Sequence, residues 1–273
     1  MINKFLTLYR EHLLLRWLWW LAVIIPGVPF IILSIAFQLY AHWPRDYNDI
    51  TVDTISPNTQ YLSLSAHGVK DSPESWSNEL QNIMSHNSIE QLTDLALAQI
   101  SLDWQPYSDN ALVCSVTGSN IGEKLAKKIA LLPKLKAVHL IGHSCGSFVI
   151  YGLCKKLKQV NPSIKVQTTY LDPVAIYSGI FWHYGVKKFG DCADFSDSYI
   201  DTKDGVPGSN EKLKNAYTFD VTDIRLKKNL PYAPHAWPTH FYLDAYKHNQ
   251  VPVYFNHQGD LDTRFDKTKL LKW

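Results

Sequence analysis

One ten-residue stretch, VHLIGHSCGS at residues 138–147, constrains the fold more than any other part of the chain. A short apolar run leads directly into the pattern Gly-x-Ser-x-Gly, whose glycines leave room for Ser144 at a sharp turn. Residues 136–141 have the composition of a buried strand, and residues 147–157 have the apolar spacing of a helix. A strand, a turn and a helix in this order predict a serine nucleophile raised at the tip of the turn.

Four segments of the chain together resemble the lipase/esterase-type serine hydrolases of the α/β-hydrolase superfamily. They are SLSAHGVKDSPESW, VHLIGHSCGS, VQTTYLDPVA, and FDVTD followed by PHAWPTHFY. The resemblance spans about residues 60–246, and the order of nucleophile, acid and histidine is the order of that fold. It implies an α/β-hydrolase fold, with a mostly parallel central sheet and helices on both faces, preceded here by an N-terminal hydrophobic helix.

The general base is expected in the segment PHAWPTHFY, because a serine hydroxyl needs a nearby base to accept its proton. In similar lipases the base precedes a proline and a pair of aromatic residues on a helix. That comparison favours His235 as the base, and His240 is the alternative.

Two carboxylates compete for the role of the acid that orients the base. Asp172 follows the strand after the turn and resembles the Leu-Asp-Pro acid of some lipases, and Pro173 favours an extended residue before it. Asp220, with Asp223 close behind, ends the next predicted strand, where most of the superfamily has its acid. Asp172 is the preferred assignment and Asp220 the alternative.

The resemblance also implies an oxyanion hole made of two backbone N–H groups. One belongs to Cys145, directly after the nucleophile, and the other to Val69, behind the His67-Gly68 pair. Chemistry of this kind requires neither a metal nor an organic cofactor.

Residues 17–40 carry no charged side chain and are long enough to cross a bilayer core of about 30 Å. Lys4, Arg10 and Arg16 precede this run, while Arg45, Asp46, Asp49 and Asp53 follow it, and this bias favours a cytoplasmic N-terminus. A single-pass signal anchor with the catalytic domain on the non-cytoplasmic side is the preferred interpretation. A cleaved signal peptide with secretion is the first alternative. A re-entrant or interfacial helix is the second, because Pro26 and Pro29 can kink the segment.

The sequence predicts three regions. Residues 1–43 are the cytoplasmic N-terminus and the membrane anchor or signal segment, residues 44–59 are a linker, and residues 60–273 are the α/β-hydrolase domain. Residues 176–215, rich in Gly, Asp and Ser, are expected to form a cap-like insertion. The formal net charge of +2 and the lack of basic runs argue against nucleic acid as a partner.

The four cysteines show no metal-ligand spacing and are expected to be free thiols, although a single long-range bridge stays open. Cys145 and Cys154 are expected on one helix, too far apart to bridge each other.

The sequence therefore predicts hydrolysis of carboxylic esters, with a small-molecule or lipid-like apolar substrate, through an acyl-enzyme on Ser144. Acyl transfer on the same residues is one alternative. A catalytically silent, membrane-tethered binding domain is the other.

Overall fold

The protein is described here by a computed structural model that covers residues 12–52, 55–91, 96–251 and 267–273. The chain divides into two compact units, residues 1–45 and residues 46–273. Lys4, Arg10 and Asp53, which entered the topology prediction, lie outside the described residues.

The first unit consists of one long helix, α1 (Leu13–Ala41). Pro26 and Pro29 lie inside it without ending it, although each removes a backbone hydrogen-bond donor. The segment Arg16–Ala41 is long and apolar enough to cross a membrane. Helices of this length and composition occur both as membrane spans and as signal sequences.

The second unit contains a seven-stranded sheet in which every described pair of neighbours is parallel. The strands lie in the order β2-β1-β3-β4-β5-β6-β7. Their bounds are β1 (Tyr61–Ala66), β2 (Leu97–Leu102), β3 (Ala137–His143), β4 (Lys165–Leu171), β5 (Phe195–Ile200), β6 (Tyr217–Asp220) and β7 (Leu270–Lys272). The described helices are a short 3₁₀ turn (Pro73–Ser75), α2 (Ser77–Gln91), α3 (Cys114–Ile129), α4 (Gly146–Val160), α5 (Tyr184–Lys188), α6 (Thr222–Lys227) and α7 (Trp237–Lys247).

Two apolar cores lie on opposite faces of the sheet. Leu140 and Ile141 are neighbours on β3, yet Leu140 packs with residues of α3 and α4, while Ile141 packs with residues of α2 and α7. This follows from the strand geometry, in which successive side chains point to opposite faces. The predicted fold class, a mostly parallel α/β sheet with helices on both faces and a preceding apolar helix, is confirmed.

Two of the predicted region boundaries need correction. Residues 195–200, inside the expected cap-like insertion, form β5, a fully buried strand of the central sheet. In the expected linker, Tyr47, Ile50 and Val52 are buried in the α3/α4 core, so the compact unit begins at Asp46. Both errors come from judging short segments by their polar composition, which does not reveal the apolar side chains that tertiary packing buries.

The expectation of free thiols is wrong, because all four cysteines are paired. Cys114 bridges Cys145 across 31 positions in the chain, and Cys154 bridges Cys192 across 38. The Cα atoms of the two pairs lie 6.2 and 6.0 Å apart, within the usual range for a disulfide. The first pairing depends on how α3 and α4 pack and the second on how the segment after α5 meets α4, which spacing in the sequence does not show.

Candidate active site

Ser144 occupies the turn between β3 and α4 in a left-handed backbone conformation, with φ of +53°. Its backbone N–H donates to the carbonyl of Leu171 at 3.0 Å, which ties the turn to the end of β4. A Cβ atom on Gly146 would lie 2.3 Å from the carbonyl oxygen of Ala66, and one on Gly68 would lie 2.9 Å from Ser144 Cβ. Glycine is therefore required at both positions, at Gly146 within the strained turn and at Gly68 in the loop after β1 that packs against it.

His235 lies in the turn that precedes α7, and its imidazole faces the serine. Ser144 Oγ is 2.8 Å from His235 Nε2, which can accept the hydroxyl proton. Burial lowers the pKa of the imidazole, and the neighbouring Asp204 carboxylate only partly opposes this shift. The ring is therefore neutral at neutral pH, the state in which it can act as a base.

Two carboxylates face the other nitrogen of the same imidazole. His235 Nδ1 lies 3.1 Å from Asp172 Oδ2 and 2.8 Å from Asp204 Oδ2. Asp172 directly follows β4, and Asp204 lies in the loop after β5. The carboxyl ends of adjacent parallel strands meet at one edge of the sheet, which brings these two loops together at His235.

Asp204 is a site residue that the sequence analysis missed. It belongs to the sequence FSDSYIDTKDG, in which the buried strand β5 is followed by two aspartates and a glycine. Recognition of residues 195–200 as a strand, rather than as part of an insertion, would have made the aspartates behind it candidates for the acid. Their polar neighbours concealed that strand.

The two carboxyl groups have opposite tendencies to ionise. Burial, and then the neighbouring charge of Asp204, raise the pKa of Asp172 well above its usual value. Burial also disfavours the charged form of Asp204, but a hydrogen bond from Ser209 and the His235 imidazole outweigh it and lower the Asp204 pKa. These shifts favour the neutral form of Asp172 and the charged form of Asp204.

The alternative site residues lie elsewhere. The ring of His240 stacks on Tyr232 with centroids 3.9 Å apart. Asp220 accepts hydrogen bonds from the backbone and side chain of Thr222 and from Lys272 Nζ. Asp223 is more than half exposed and lies 4.0 Å from the same lysine nitrogen. In the described part of the chain, none of the three forms a hydrogen bond or ion pair with Ser144 or His235.

The two expected oxyanion donors flank the nucleophile. Cys145 follows Ser144 and is fixed by its disulfide to Cys114 at the start of α3. Val69 follows Gly68, which lies against the Ser144 side chain. Within the described ranges, the backbone N–H groups of Cys145 and Val69 donate to no protein acceptor, so they are available to an oxyanion.

A second imidazole, His143, supports the loop that carries the base. His143 Nε2 donates to the backbone carbonyl of His235 at 3.0 Å, and its Nδ1 lies 3.8 Å from Asp71 Oδ2. Burial would raise the pKa of Asp71, but the neighbouring His143 and hydrogen bonds from Ser75 and Ser72 lower it below its usual range. The histidine of the Gly-His-Ser motif therefore has a positioning role that the motif alone did not reveal.

Asp172, Asp204 and His235 are also the residues that could hold a metal ion. Each offers one ligand atom, and these atoms lie within 4.8 Å of one another. One nitrogen and two carboxylate oxygens form a donor set that divalent cations accept.

Comparison with known proteins gives little further information. The sequence matches no known protein family and no curated protein. Among solved structures, the chain is similar to phospholipase PlaB from Legionella pneumophila in complex with thio-NAD, with 10% identity and a TM-score of 0.34. The similar region covers 53% of this chain, which spans only 38% of the length of the phospholipase chain. A likeness at this TM-score bears on neither fold nor substrate.

Proposed function

We propose that the protein is a serine hydrolase that cleaves carboxylic esters. One observation carries the proposal, namely the line of contacts from Ser144 Oγ through His235 to a buried carboxylate, built on a strained strand-to-helix turn. A hydroxyl, a neutral imidazole and an acid in this arrangement are the parts of the serine hydrolase triad. Triads are recognised by such geometry rather than by position in the sequence.

The geometry supports a two-step reaction. Ser144 Oγ attacks the ester carbonyl while His235 Nε2 takes the hydroxyl proton, and the N–H groups of Val69 and Cys145 face the oxyanion. Collapse of the tetrahedral intermediate breaks the ester bond, and His235 returns the proton to the leaving alcohol. Water then attacks the acyl-enzyme with His235 as the base, which releases the acid and restores Ser144.

An apolar acyl group is the substrate class that the surroundings of the site favour. The segment that follows Asp172 starts close to the nucleophile in space, because the N–H of Val174 donates to the Ser144 carbonyl at 3.3 Å. Eight to ten residues beyond Asp172, this segment exposes Ile180, Phe181 and Trp182. Exposed apolar side chains in such a group are typical of surfaces that meet lipids or other apolar partners. Acyl transfer to an alcohol other than water would use the same residues.

We further propose that α1 anchors the protein in a membrane and that the catalytic domain lies on the non-cytoplasmic side. The apolar span of α1 supports an anchor, and Arg16 at its start supports a cytoplasmic N-terminus. The two disulfides support an oxidising compartment for the domain, because thiols in the cytosol are kept reduced. Secretion after cleavage of a signal segment would agree with the same disulfides.

A fluorophosphonate probe together with p-nitrophenyl esters tests the enzymatic function. Wild-type protein should be labelled and should hydrolyse the esters, and Ser144→Ala should abolish labelling and lower kcat by on the order of 10⁴-fold or more. The matched control is Ser147→Ala, which removes the next serine along the chain, buried at the start of α4, and should preserve both readouts. Ser144→Ala activity within about tenfold of wild type would exclude Ser144 as the nucleophile. Wild-type protein that shows neither labelling nor hydrolysis would instead indicate a catalytically silent binding domain.

A further inference from the structure

The two carboxylates at one imidazole have unequal surroundings, and this inequality assigns them different roles within the proposed ester hydrolase. We propose that Asp204 is the charged partner that orients His235, and that Asp172 is a neutral carboxyl group that positions Asp204 and the imidazole. The Leu-Asp-Pro motif predicts Asp172, at the end of β4, as the orienting acid. This proposal assigns that role instead to Asp204, in the loop after β5.

Asp204 has the hydrogen-bond partners of an anion. Its Oδ2 accepts hydrogen bonds from the Ser209 hydroxyl and from His235 Nδ1, and its Oδ1 accepts one from the Val206 N–H at 3.2 Å. Three donors directed at one carboxylate favour its charged form.

Asp172 has the surroundings of a neutral acid. The side chain is completely buried, and apart from the shared imidazole its hydrogen-bond donor is the Asn210 N–H, at the long distance of 3.4 Å. With so few donors, the charged form of a buried carboxylate is destabilised because little replaces the hydration that it loses. A proton on Asp172 removes that destabilisation and provides a hydroxyl that can donate to Asp204.

Proximity adds a second reason why only one of the two acids is charged. Ligand oxygens of Asp172 and Asp204 lie within 4.8 Å of each other and of the same imidazole nitrogen. Two carboxylates at such a distance do not ionise together, because each charge disfavours the other. The pair therefore carries a single negative charge, held on the better-solvated Asp204.

The isosteric variants Asp172→Asn and Asp204→Asn, made in the full chain, separate the two roles. Asp172→Asn stays neutral but loses one of the two oxygens that accept from His235 Nδ1 and from the Asn210 N–H, so kcat/KM for a p-nitrophenyl ester should fall by up to about tenfold, less than in Asp204→Asn. Asp204→Asn removes the charge and should lower kcat/KM by on the order of 10²–10⁴-fold. Ser209→Ala, which weakens only the stabilisation of the anion, should lower it severalfold. Equal losses in the two Asp→Asn variants, a larger loss in Asp172→Asn, or unchanged activity in Ser209→Ala would each overturn the proposal.

Histidine hydrogen–deuterium exchange, read by mass spectrometry, measures the pKa of His235 without any need for activity. That pKa should change little in Asp172→Asn. It should fall by about one unit in Asp204→Asn, because only this variant removes the negative charge that stabilises the protonated imidazole. A fall in Asp172→Asn instead would place the charge on Asp172 and overturn the proposal. Because the readout is independent of turnover, it tests the acid pair even if wild-type protein hydrolyses no ester.

Chelation distinguishes a shared proton from a bridging cation. Treatment with EDTA should leave the pKa of His235 and the rate of ester hydrolysis unchanged. A loss of activity that Zn²⁺ restores would show that the three side chains hold a metal, and would overturn the proposal.

Discussion

Ser144 and Asp172 share an uncommon backbone conformation at the ends of neighbouring strands. Their φ angles are +53° and +42°, in the left-handed region that residues with a Cβ atom rarely adopt. Each is held by a backbone hydrogen bond to the next strand, from Ser144 to Leu171 and from Asp172 to Tyr199. Strain of about 1–3 kcal/mol per residue persists only where surrounding structure fixes it, and such residues cluster at functional sites.

At the residue scale, the environment of His235 predicts the pH dependence of the reaction. Burial lowers the pKa of its imidazole below the ordinary 6.5, so the ring stays neutral, and able to accept a proton, to lower pH than an exposed histidine would. We therefore expect kcat/KM to be constant near pH 7 and to fall as the pH drops through the lowered pKa, with a midpoint below 6.5. A pH–rate profile of ester hydrolysis measures this midpoint. A midpoint above 6.5 would contradict the prediction.

Strands β3, β4 and β5 share a line of buried polar side chains on the face packed by α2 and α7. His139 Nε2 donates to Thr169 Oγ1 at 2.9 Å, and Thr169 donates to Asp197 Oδ1 at 2.6 Å. The Tyr199 hydroxyl donates to the other oxygen of Asp197 at 3.0 Å. Burial lowers the pKa of His139 to about 3, so the line contains no cation to balance a charge on Asp197.

This line predicts a stability that depends on pH. The lowered pKa of His139 makes the contribution of that residue to stability rise with pH up to about 6.5. Burial raises the pKa of Asp197 to about 7 from an ordinary 3.8, so the folded state holds a proton that the unfolded state loses, and the contribution of Asp197 to stability falls as pH rises from about 4 to 7. Asp197→Asn should remove this dependence and, at pH 8, stabilise the protein by on the order of 1–3 kcal/mol. Thermal unfolding at pH 5 and pH 8 measures the effect. The control Asp223→Asn, at a largely exposed carboxylate, should change neither value, and a lower melting temperature of Asp197→Asn at pH 8 would contradict the prediction.

At the scale of the helices, we expect removal of either disulfide to lower stability and removal of only one of them to lower kcat. Each closes a loop of similar length, 31 and 38 positions, so removal of either bridge by paired Cys→Ala substitution should cost about 3–4 kcal/mol. Only Cys145 neighbours the nucleophile. Removal of the Cys114–Cys145 bridge should therefore also lower kcat, while the Cys154–Cys192 variant serves as the matched control with unchanged kcat. Denaturant unfolding and ester kinetics on both variants test this, and an equal loss of kcat would refute the local role.

At the scale of the whole molecule, the boundary between the two units falls where packing begins rather than where composition changes. Tyr47, Ile50 and Val52 belong to the core that α3 and α4 share with the sheet. The Tyr107 hydroxyl lies 2.8 Å from the Asp46 carbonyl oxygen and 2.8 Å from Asp49 Oδ1, and these two acceptors share its single proton. The residues that follow α1 are thereby part of the folded domain.

This boundary predicts how truncations behave. Removal of residues 1–43 should release a soluble, folded domain, because every core residue of the second unit remains. Removal of residues 1–59 should destabilise the domain by several kcal/mol, since each large apolar side chain withdrawn from a core costs about 1.5–3 kcal/mol. Thermal unfolding of the two fragments makes the comparison. Equal stability would contradict the packing of Tyr47, Ile50 and Val52.

The intact chain provides the corresponding test of location. It should stay with membranes through carbonate washing, and protease added from the non-cytoplasmic side should reach the domain. Protection from that protease, with cleavage only from the cytoplasmic side, would reverse the proposed topology. A mature protein that starts near residue 43 would identify the segment as a cleaved signal.

Local sequence patterns were sufficient to predict several main features of this protein. The parallel α/β class, the turn at Ser144 and the long apolar helix could be predicted because strand periodicity, glycine spacing and helix length are properties of contiguous residues. His235 could be proposed because the order of elements along the chain places it after the last predicted strand.

Tertiary structure decided the rest. Asp204 meets His235 because β4 and β5 pair in parallel and bring the ends of distant segments to one edge of the sheet. Cys114 meets Cys145 because α3 and α4 pack side by side, Cys154 on α4 meets Cys192 in the segment between α5 and β5, and Tyr47 belongs to the domain because a core accepts its ring. Each of these contacts joins residues far apart in sequence. Its free energy arises from burial and charge in the assembled fold, which no local pattern of residues contains.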